Sequence, residues 1–146
     1  MRRLRYSKLN NILSSRLLKF CIVGASGTIV NMGVLFLLSE YVRIQYFLSS
    51  LVAIELSILS NFYLNLLWTW GDRVGETSTW EKLFRYHMGV AGTAFLCNYL
   101  ILLALTEWFG MYYLISNIIG IAVGTISNFL INDRWTFRQS VLSEDS

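Results

Sequence analysis

Amide side chains recur in this sequence at a fixed spacing. The stretch Asn61-Phe62-Tyr63-Leu64-Asn65-Leu66-Leu67-Trp68-Thr69-Trp70 returns 67 positions later as Asn128-Phe129-Leu130-Ile131-Asn132-Asp133-Arg134-Trp135-Thr136-Phe137. In a helix each copy stacks two amides one turn apart, Asn61 with Asn65 and Asn128 with Asn132, and follows them with Trp68 or Trp135. The second copy adds Asp133, Arg134 and, beyond it, Arg138. Amide donors and guanidinium groups beside an interfacial Trp are what binding a phosphate head group requires. The same residues also describe an aromatic belt with snorkelling arginines, and the repetition of the amides is what favours the first reading.

Two further amides, Asn31 and Asn98, obey the same offset. Both would lie about 12 Å below the outer ends of their helices, either as polar glue across a helix contact or as the lining of a substrate path. Glu55 falls at a similar depth, and its counterpart is Ala122. A charge there is costly and usually functional. Three readings stand: a protonated acid hydrogen-bonded to Asn31 or Asn98, a proton-coupling or cation-binding group, or a contact within a homo-oligomer. Glu55 lies about 120° around the helix from Asn61, so it faces a different neighbour.

No catalytic set accompanies these groups. His87 is the sole histidine and has no Ser, Cys or carboxylate partner fixed by spacing, and no Gly-rich phosphate loop or metal-ligand cluster is present. Cys21 and Cys97 read as small apolar residues. The expectation is a protein that is not an enzyme acting alone and that needs no cofactor or metal.

The elements carrying these residues follow from composition. With 55% apolar residues, 14% charged residues and no proline in 146 positions, the chain does not describe an ordinary soluble domain. Four stretches, about 17–39, 46–70, 84–106 and 112–135, are each long enough to cross a hydrocarbon core of about 30 Å. The first is too long for the h-region of a signal peptide and lacks a small-x-small cleavage site, so it counts as a mature span. Eleven of the 12 basic residues, all but Arg43, fall in the leader, the central loop and the C-terminal end. The positive-inside rule then places both termini in the cytoplasm. The net charge of +3 is a topology and anionic-lipid signal, since no soluble basic domain exists to bind nucleic acid.

The 67-residue offset also matches Glu40 with Glu107, Tyr46 with Tyr113, Ser49 with Ser116 and Ser60 with Ser127, which marks an internal duplication. The expected fold is an all-α membrane protein of four transmembrane helices, arranged as two tandem two-helix repeats. An even number of spans per repeat makes the repeats parallel in orientation, related by an axis along the membrane normal. The expected segments are a basic leader at 1–16, a first repeat at 17–70, a cytoplasmic loop at 71–83, a second repeat at 84–138 and a polar tail at 139–146. The leader reads equally as an interfacial helix or as an extension of the first span. In the loop, Ser78-Thr79-Trp80-Glu81 has capping-box spacing and starts a helix. Packing faces are expected along Phe20, Gly24, Gly27 and Asn31; along Ala91, Ala94 and Asn98; along Ser50, Ala53, Ser57, Asn61 and Trp68; and along Asn117, Gly120, Gly124, Asn128 and Trp135.

From Leu17 to Arg138 the chain resembles the GtrA-like family of small four-span membrane proteins. The resemblance rests on Lys19-Phe20-Cys21-Ile22-Val23-Gly24, Asn31, Arg85-Tyr86, Asn98 and both copies of the Asn–Trp motif. The second copy, Asn132-Asp133-Arg134-Trp135-Thr136-Phe137, is similar to the family's Asn-x-Arg-Trp-x-Phe ending. The first has Leu66 and Leu67 where members often carry Arg, which weakens a head-group role for that half. The resemblance implies translocation of a polyprenyl-phosphate-linked sugar across the cytoplasmic (inner) membrane for cell-surface polysaccharide synthesis. The substrate contacts expected on that basis are Asn31, Glu55, Asn61, Asn65, Asn98, Asn128, Asn132, Arg134, Trp68 and Trp135. It also implies a polyprenyl-phosphate glycosyltransferase as partner, on a separate chain, which leaves a second reading: a non-transporting anchor for that enzyme. A third, suggested by size and Glu55, is a small proton-coupled transporter.

Overall fold

The computed structural model describes residues 2–73 and 77–138, without the side chains of 2–11 and of Phe95. The middle of the expected central loop, 74–76, and the tail at 139–146 lie outside the described residues. Among the described residues every regular element is helical: α1 (Arg2–Phe36), α2 (Tyr46–Leu64), α3 (Thr79–Thr93), α4 (Leu100–Leu103) and α5 (Tyr113–Ile131). Five π-helical turns extend or join them, at Leu37–Tyr41, Asn65–Thr69, Ala94–Tyr99, Ala104–Trp108 and Asn132–Thr136. With no proline to interrupt it, α1 runs unbroken from the basic leader into the first apolar stretch. Four helices are long and apolar enough to cross a membrane: Ile12–Tyr41, Tyr46–Thr69, Thr79–Trp108 and Tyr113–Thr136.

The chain divides into two compact units, Met1–Asp72 and Arg73–Ser146. Each is a helical hairpin, and the two turn in the same way. Ile44 N–H donates to Leu38 O over 3.0 Å in the first unit, and Met111 N–H donates to Leu105 O over 3.0 Å in the second. The residue before each donor is left-handed: Arg43 has φ 58° and Gly110 φ 64°. Glycine takes this conformation without strain, whereas an arginine there costs about 1 kcal/mol or more.

Inward faces are narrow and made of small and aromatic residues. In the first unit the buried positions are Phe20, Val23 and Gly27 of α1 and Ser49, Ala53 and Phe62 of α2; in the second they are Tyr86, Gly89 and Thr93 of α3 and Ser116, Gly120, Gly124 and Phe129 of α5. Large residues such as Leu18, Ile29, Met32 and Ile118 point outward and are exposed. That pattern would be unstable in water but suits a lipid environment, where close backbone approach through small residues drives helix association.

Of the expected faces, Phe20, Gly27, Ala53, Gly120 and Gly124 turn inward, while other positions do not. Gly24 has nothing within 4 Å of its Cβ position, and Ala91 and Ala94 are exposed while Gly89 and Thr93 turn inward. Ser49 and Ser116 are fully buried, in place of Ser50 and Asn117. At the far end of each second helix the buried aromatics are Trp70 and Phe137, at 1% and 2% exposure, whereas Trp68 and Trp135 are half exposed. The cause is the π turn. It closes with Trp70 N–H to Asn65 O (2.9 Å) and Phe137 N–H to Asn132 O (2.8 Å), five residues apart, and so rotates the residues at its C-terminal end out of an i+7 stripe.

One more π turn explains a one-residue slip in the repeat. Phe20 meets Trp70 edge-on at 5.8 Å, and Tyr86 meets Phe137 the same way at 6.3 Å. Asn31 lies 11 residues after Phe20, but Asn98 lies 12 after Tyr86. The π turn Ala94–Tyr99 holds the extra residue, so that Asn98 still reaches the hairpin contact.

Candidate functional site

The two copies of the Asn–Trp motif fold into the same local device. Asn65 and Asn132 open the π turns and are buried, at 1% and 0% exposure. Asn65 Oδ1 accepts from Thr69 Oγ1 at 2.7 Å. Asn132 Nδ2 donates to Asn128 O at 2.9 Å and to Asn128 Oδ1 at 2.8 Å. These amides hold the turn together by local bonds; their burial leaves Trp68, Trp135 and Arg134 as the exposed part of the motif.

A cation from the first helix of each unit covers the exposed Trp. Lys19 Nζ lies 5.6 Å from the centre of the Trp68 ring, and Arg85 Cζ lies 5.7 Å from that of Trp135, a favourable cation–π geometry. In the first unit Arg16 and Lys19 line an open pocket of about 530 Å³ with Ser15, Trp68, Gly71 and Asp72. Arg16 Nη2 is paired with Asp72 Oδ2 at 2.5 Å. A side chain at Gly71 would strike Leu67 O, so the turn that delivers Asp72 requires glycine.

The second unit uses its charges differently. Arg85 pairs with Glu81 and donates to Trp135 O at 3.0 Å. Arg73 Nη2 bonds Asp133 Oδ1 at 2.6 Å, and its Nη1 donates to Asp133 O (2.5 Å) and Phe137 O (2.8 Å). Arg73 thereby satisfies carbonyls left open at a helix end, where a cation is electrostatically favoured. Asp133 is held by that pair, and Arg134 instead borders a pocket of about 460 Å³ with Met88, Gly89, Ile131 and Trp135.

Deeper in the spans the amides pack against glycine. A Cβ on Gly27 would collide with the Asn61 side chain, and one on Gly120 would lie 2.8 Å from Asn98 O. Ser57 Oγ donates to Gly27 O at 2.8 Å, and Gly124 approaches Thr93 O in the second unit. The small and hydroxyl residues have exchanged helices between the units at this contact. Thr93, Asn98, Thr125 and Asn128 line a pocket of about 180 Å³ in the second unit, alongside Val90, Ala94, Ile121 and Gly124. Asn98 Oδ1, packed against Gly120, and Asn61 Oδ1, packed against Gly27, are buried without a hydrogen-bond partner. Ser78 Oγ accepts from Trp80 N–H at 3.2 Å and starts α3, as its spacing predicts, although Glu81 turns to Arg85 instead of closing a capping box.

Among the expected site residues, the structure gathers Asn98 with Asn128 in one pocket and leaves Trp68, Trp135 and Arg134 open at others. Asn31 is half-buried. Glu55 is exposed on α2, off the inward face that carries Ser49, Ala53 and Phe62. Missed from sequence were Arg16, Lys19 and Asp72 as neighbours of Trp68. For Arg16 and Lys19 the signal was present: Arg16, Lys19 and Phe20 reappear as Lys82, Arg85 and Tyr86 at an offset of 66, hidden from a 67-residue comparison by the extra residue.

Among the described residues, four helices long and apolar enough to cross a membrane define a small multi-pass membrane protein. Residues 19–137 match the GtrA/DPMS transmembrane domain family, and the chain belongs to that family. It is also 34% identical over 122 residues to the dolichol-phosphate mannosyltransferase of Pyrococcus furiosus, a match that spans 84% of this chain and 34% of the relative. The chain thus covers about a third of that relative's length.

Proposed function

We propose that this protein moves a polyprenyl-phosphate-linked sugar across the cytoplasmic membrane to supply cell-surface polysaccharide synthesis. Family membership and the name of the mannosyltransferase relative support handling of a polyprenyl-phosphate sugar. The observation that carries the transport step is the pocket of Thr93, Asn98, Thr125 and Asn128 inside otherwise apolar spans. Asn98 lies ten residues before Trp108, about 15 Å along a helix. A sugar crossing hydrocarbon needs hydrogen-bonding partners at that depth, because an unpaired hydroxyl there costs several kcal/mol.

In this reading the two hairpins are tandem repeats in parallel orientation, with both termini and residues 71–83 in the cytoplasm. Each unit offers its own groups: Asn31 and Asn61 in the first and Asn98 and Asn128 in the second serve the path, Trp68 in the first and Arg134 with Trp135 in the second serve a phosphate at the cytoplasmic face, and Asn65 and Asn132 hold the turns that present them. Glu55, on an exposed face, serves a contact with a second copy of the chain. Anionic lipids meet the basic leader.

A second reading has its own support: the match covers about a third of a protein named as a transferase. In that reading the chain is a membrane partner of a polyprenyl-phosphate glycosyltransferase and moves nothing itself. Vesicles containing this chain alone and a labelled polyprenyl-phosphoryl-mannose on one leaflet separate the two. Appearance of the label on the opposite leaflet supports transport; none, with co-purification of a cytoplasmic transferase, supports the partner role.

A further inference from the structure

We propose that the first unit holds the head group of a monoanionic phosphodiester, a sugar joined through one phosphate to a lipid, among Arg16, Lys19, Trp68 and Asp72. This deepens the transport reading and rests on it. The pocket there has about 530 Å³, within the range of small-ligand sites. Arg16 and Lys19 stand three residues apart on one face of α1. Arg16 is held to Asp72, whose own side chain remains 65% exposed, and Lys19 lies over Trp68.

Charge selects the ligand class. Two cations and one carboxylate leave a net charge of +1, which matches one phosphodiester. A diphosphate brings a second negative charge close to Asp72, where like charges disfavour it. The half-exposed Trp68 ring offers an apolar face for the C–H side of a sugar, and Asp72 offers a carboxylate to its hydroxyls.

The second unit shows why the site belongs to the first. Its cations at the matching positions are Lys82 and Arg85, but Glu81 stands where the first unit has Ser15. Glu81 and Trp135 O take Arg85, and Lys82 is buried. Ser15 leaves the first unit's cations facing a pocket. Positive charge near Trp68 therefore comes from α1, which compensates for Leu66 and Leu67 in the motif itself.

Binding to the full chain in phosphatidylcholine nanodiscs tests this, with farnesyl-phosphoryl-mannose as probe. The wild type should prefer it to the corresponding mannosyl diphosphate. Lys19→Gln should weaken it about tenfold, as loss of a charge-assisted contact does, while Lys19→Arg restores binding to within about threefold and so excludes misfolding. Asp72→Asn should abolish the preference against the diphosphate. Equal binding of methyl phosphoryl-mannose would overturn the lipid-linked assignment, and equal displacement by phosphatidylglycerol would reduce the pocket to an anionic-lipid contact. Wild-type affinity and selectivity in Lys19→Gln and Asp72→Asn would overturn the site while leaving the transport reading intact. Absence of any binding by the wild type would overturn both.

Discussion

Gly27 of α1 lies directly against Asn61 of α2, so closely that a single added methyl group would occupy the space of the amide. The equivalent closeness in the second unit is between Gly120 and the backbone of Asn98. Each hairpin is thus locked at one glycine–asparagine contact, and the two differ in what yields: a side chain in the first, a main chain in the second.

That difference predicts an order of stability. Gly120→Ala meets Asn98 O, which cannot swing away, and should cost about 2–3 kcal/mol; Gly27→Ala, which displaces only the Asn61 side chain, should cost about 1–2 kcal/mol. Gly24→Ala and Gly92→Ala meet nothing within 4 Å and should be neutral or stabilising by up to about 1 kcal/mol through helix propensity. Thermal unfolding of the purified variants in one detergent checks the order.

Arg73 reaches three acceptors, Asp133 Oδ1, Asp133 O and Phe137 O, and its pair with Asp133 is mostly shielded, at 12% and 16% side-chain exposure. Arg73→Ala should destabilise the second unit by about 3 kcal/mol, because it removes one partner of a mostly shielded charge pair and the donor to two helix-end carbonyls. Arg73→Ala combined with Asp133→Asn should recover part of that loss. A double-mutant cycle that showed no coupling would contradict the pairing.

Asn132 and Arg134, neighbours in one motif, should fail for different reasons. Asn132 is buried and bonded to Asn128, so Asn132→Ala should lower stability by about 1–2 kcal/mol. Arg134 is exposed beside Trp135, so Arg134→Ala should leave folding intact and weaken binding of a polyprenyl-phosphate sugar several-fold. Gel filtration and binding, measured on the same preparations, separate the two.

Glu55→Gln keeps the shape and hydrogen bonding of the side chain. If Glu55 serves contact between copies, the substitution should leave transport within about twofold of normal, whereas Glu55→Leu should shift the oligomer distribution seen by native mass spectrometry. A stable Glu55→Gln protein without transport would instead assign the carboxyl to proton coupling.

Much of this was legible in the residues. The four spans follow from apolar blocks of sufficient length, and the recurrence of the hairpin is marked by Glu40 with Glu107 and Tyr46 with Tyr113 on either side of turns whose own residues differ. The π turns were not legible. Ideal 3.6-residue periodicity carries a stripe from Asn61 to Trp68, but a π turn starting at Asn65 buries Trp70 instead. The same departure at Ala94–Tyr99 absorbs a residue and conceals the match of Arg16 and Lys19 to Lys82 and Arg85. Asp72 could not be placed beside Arg16 from spacing, since the two stand 56 residues apart and meet only when the hairpin closes.

The central claim is that a sugar crosses the bilayer by way of the polar pocket around Asn98. Its most direct measurement is the rate at which labelled polyprenyl-phosphoryl-mannose reaches the opposite leaflet of vesicles holding the wild type, Asn98→Leu or no protein. The wild type should transfer it well above the protein-free rate, and a folded Asn98→Leu that still binds the lipid should be slower by about tenfold, as loss of one hydrogen bond in the barrier predicts. Equal rates for Asn98→Leu and the wild type, or a wild-type rate no higher than that of empty vesicles, would contradict it.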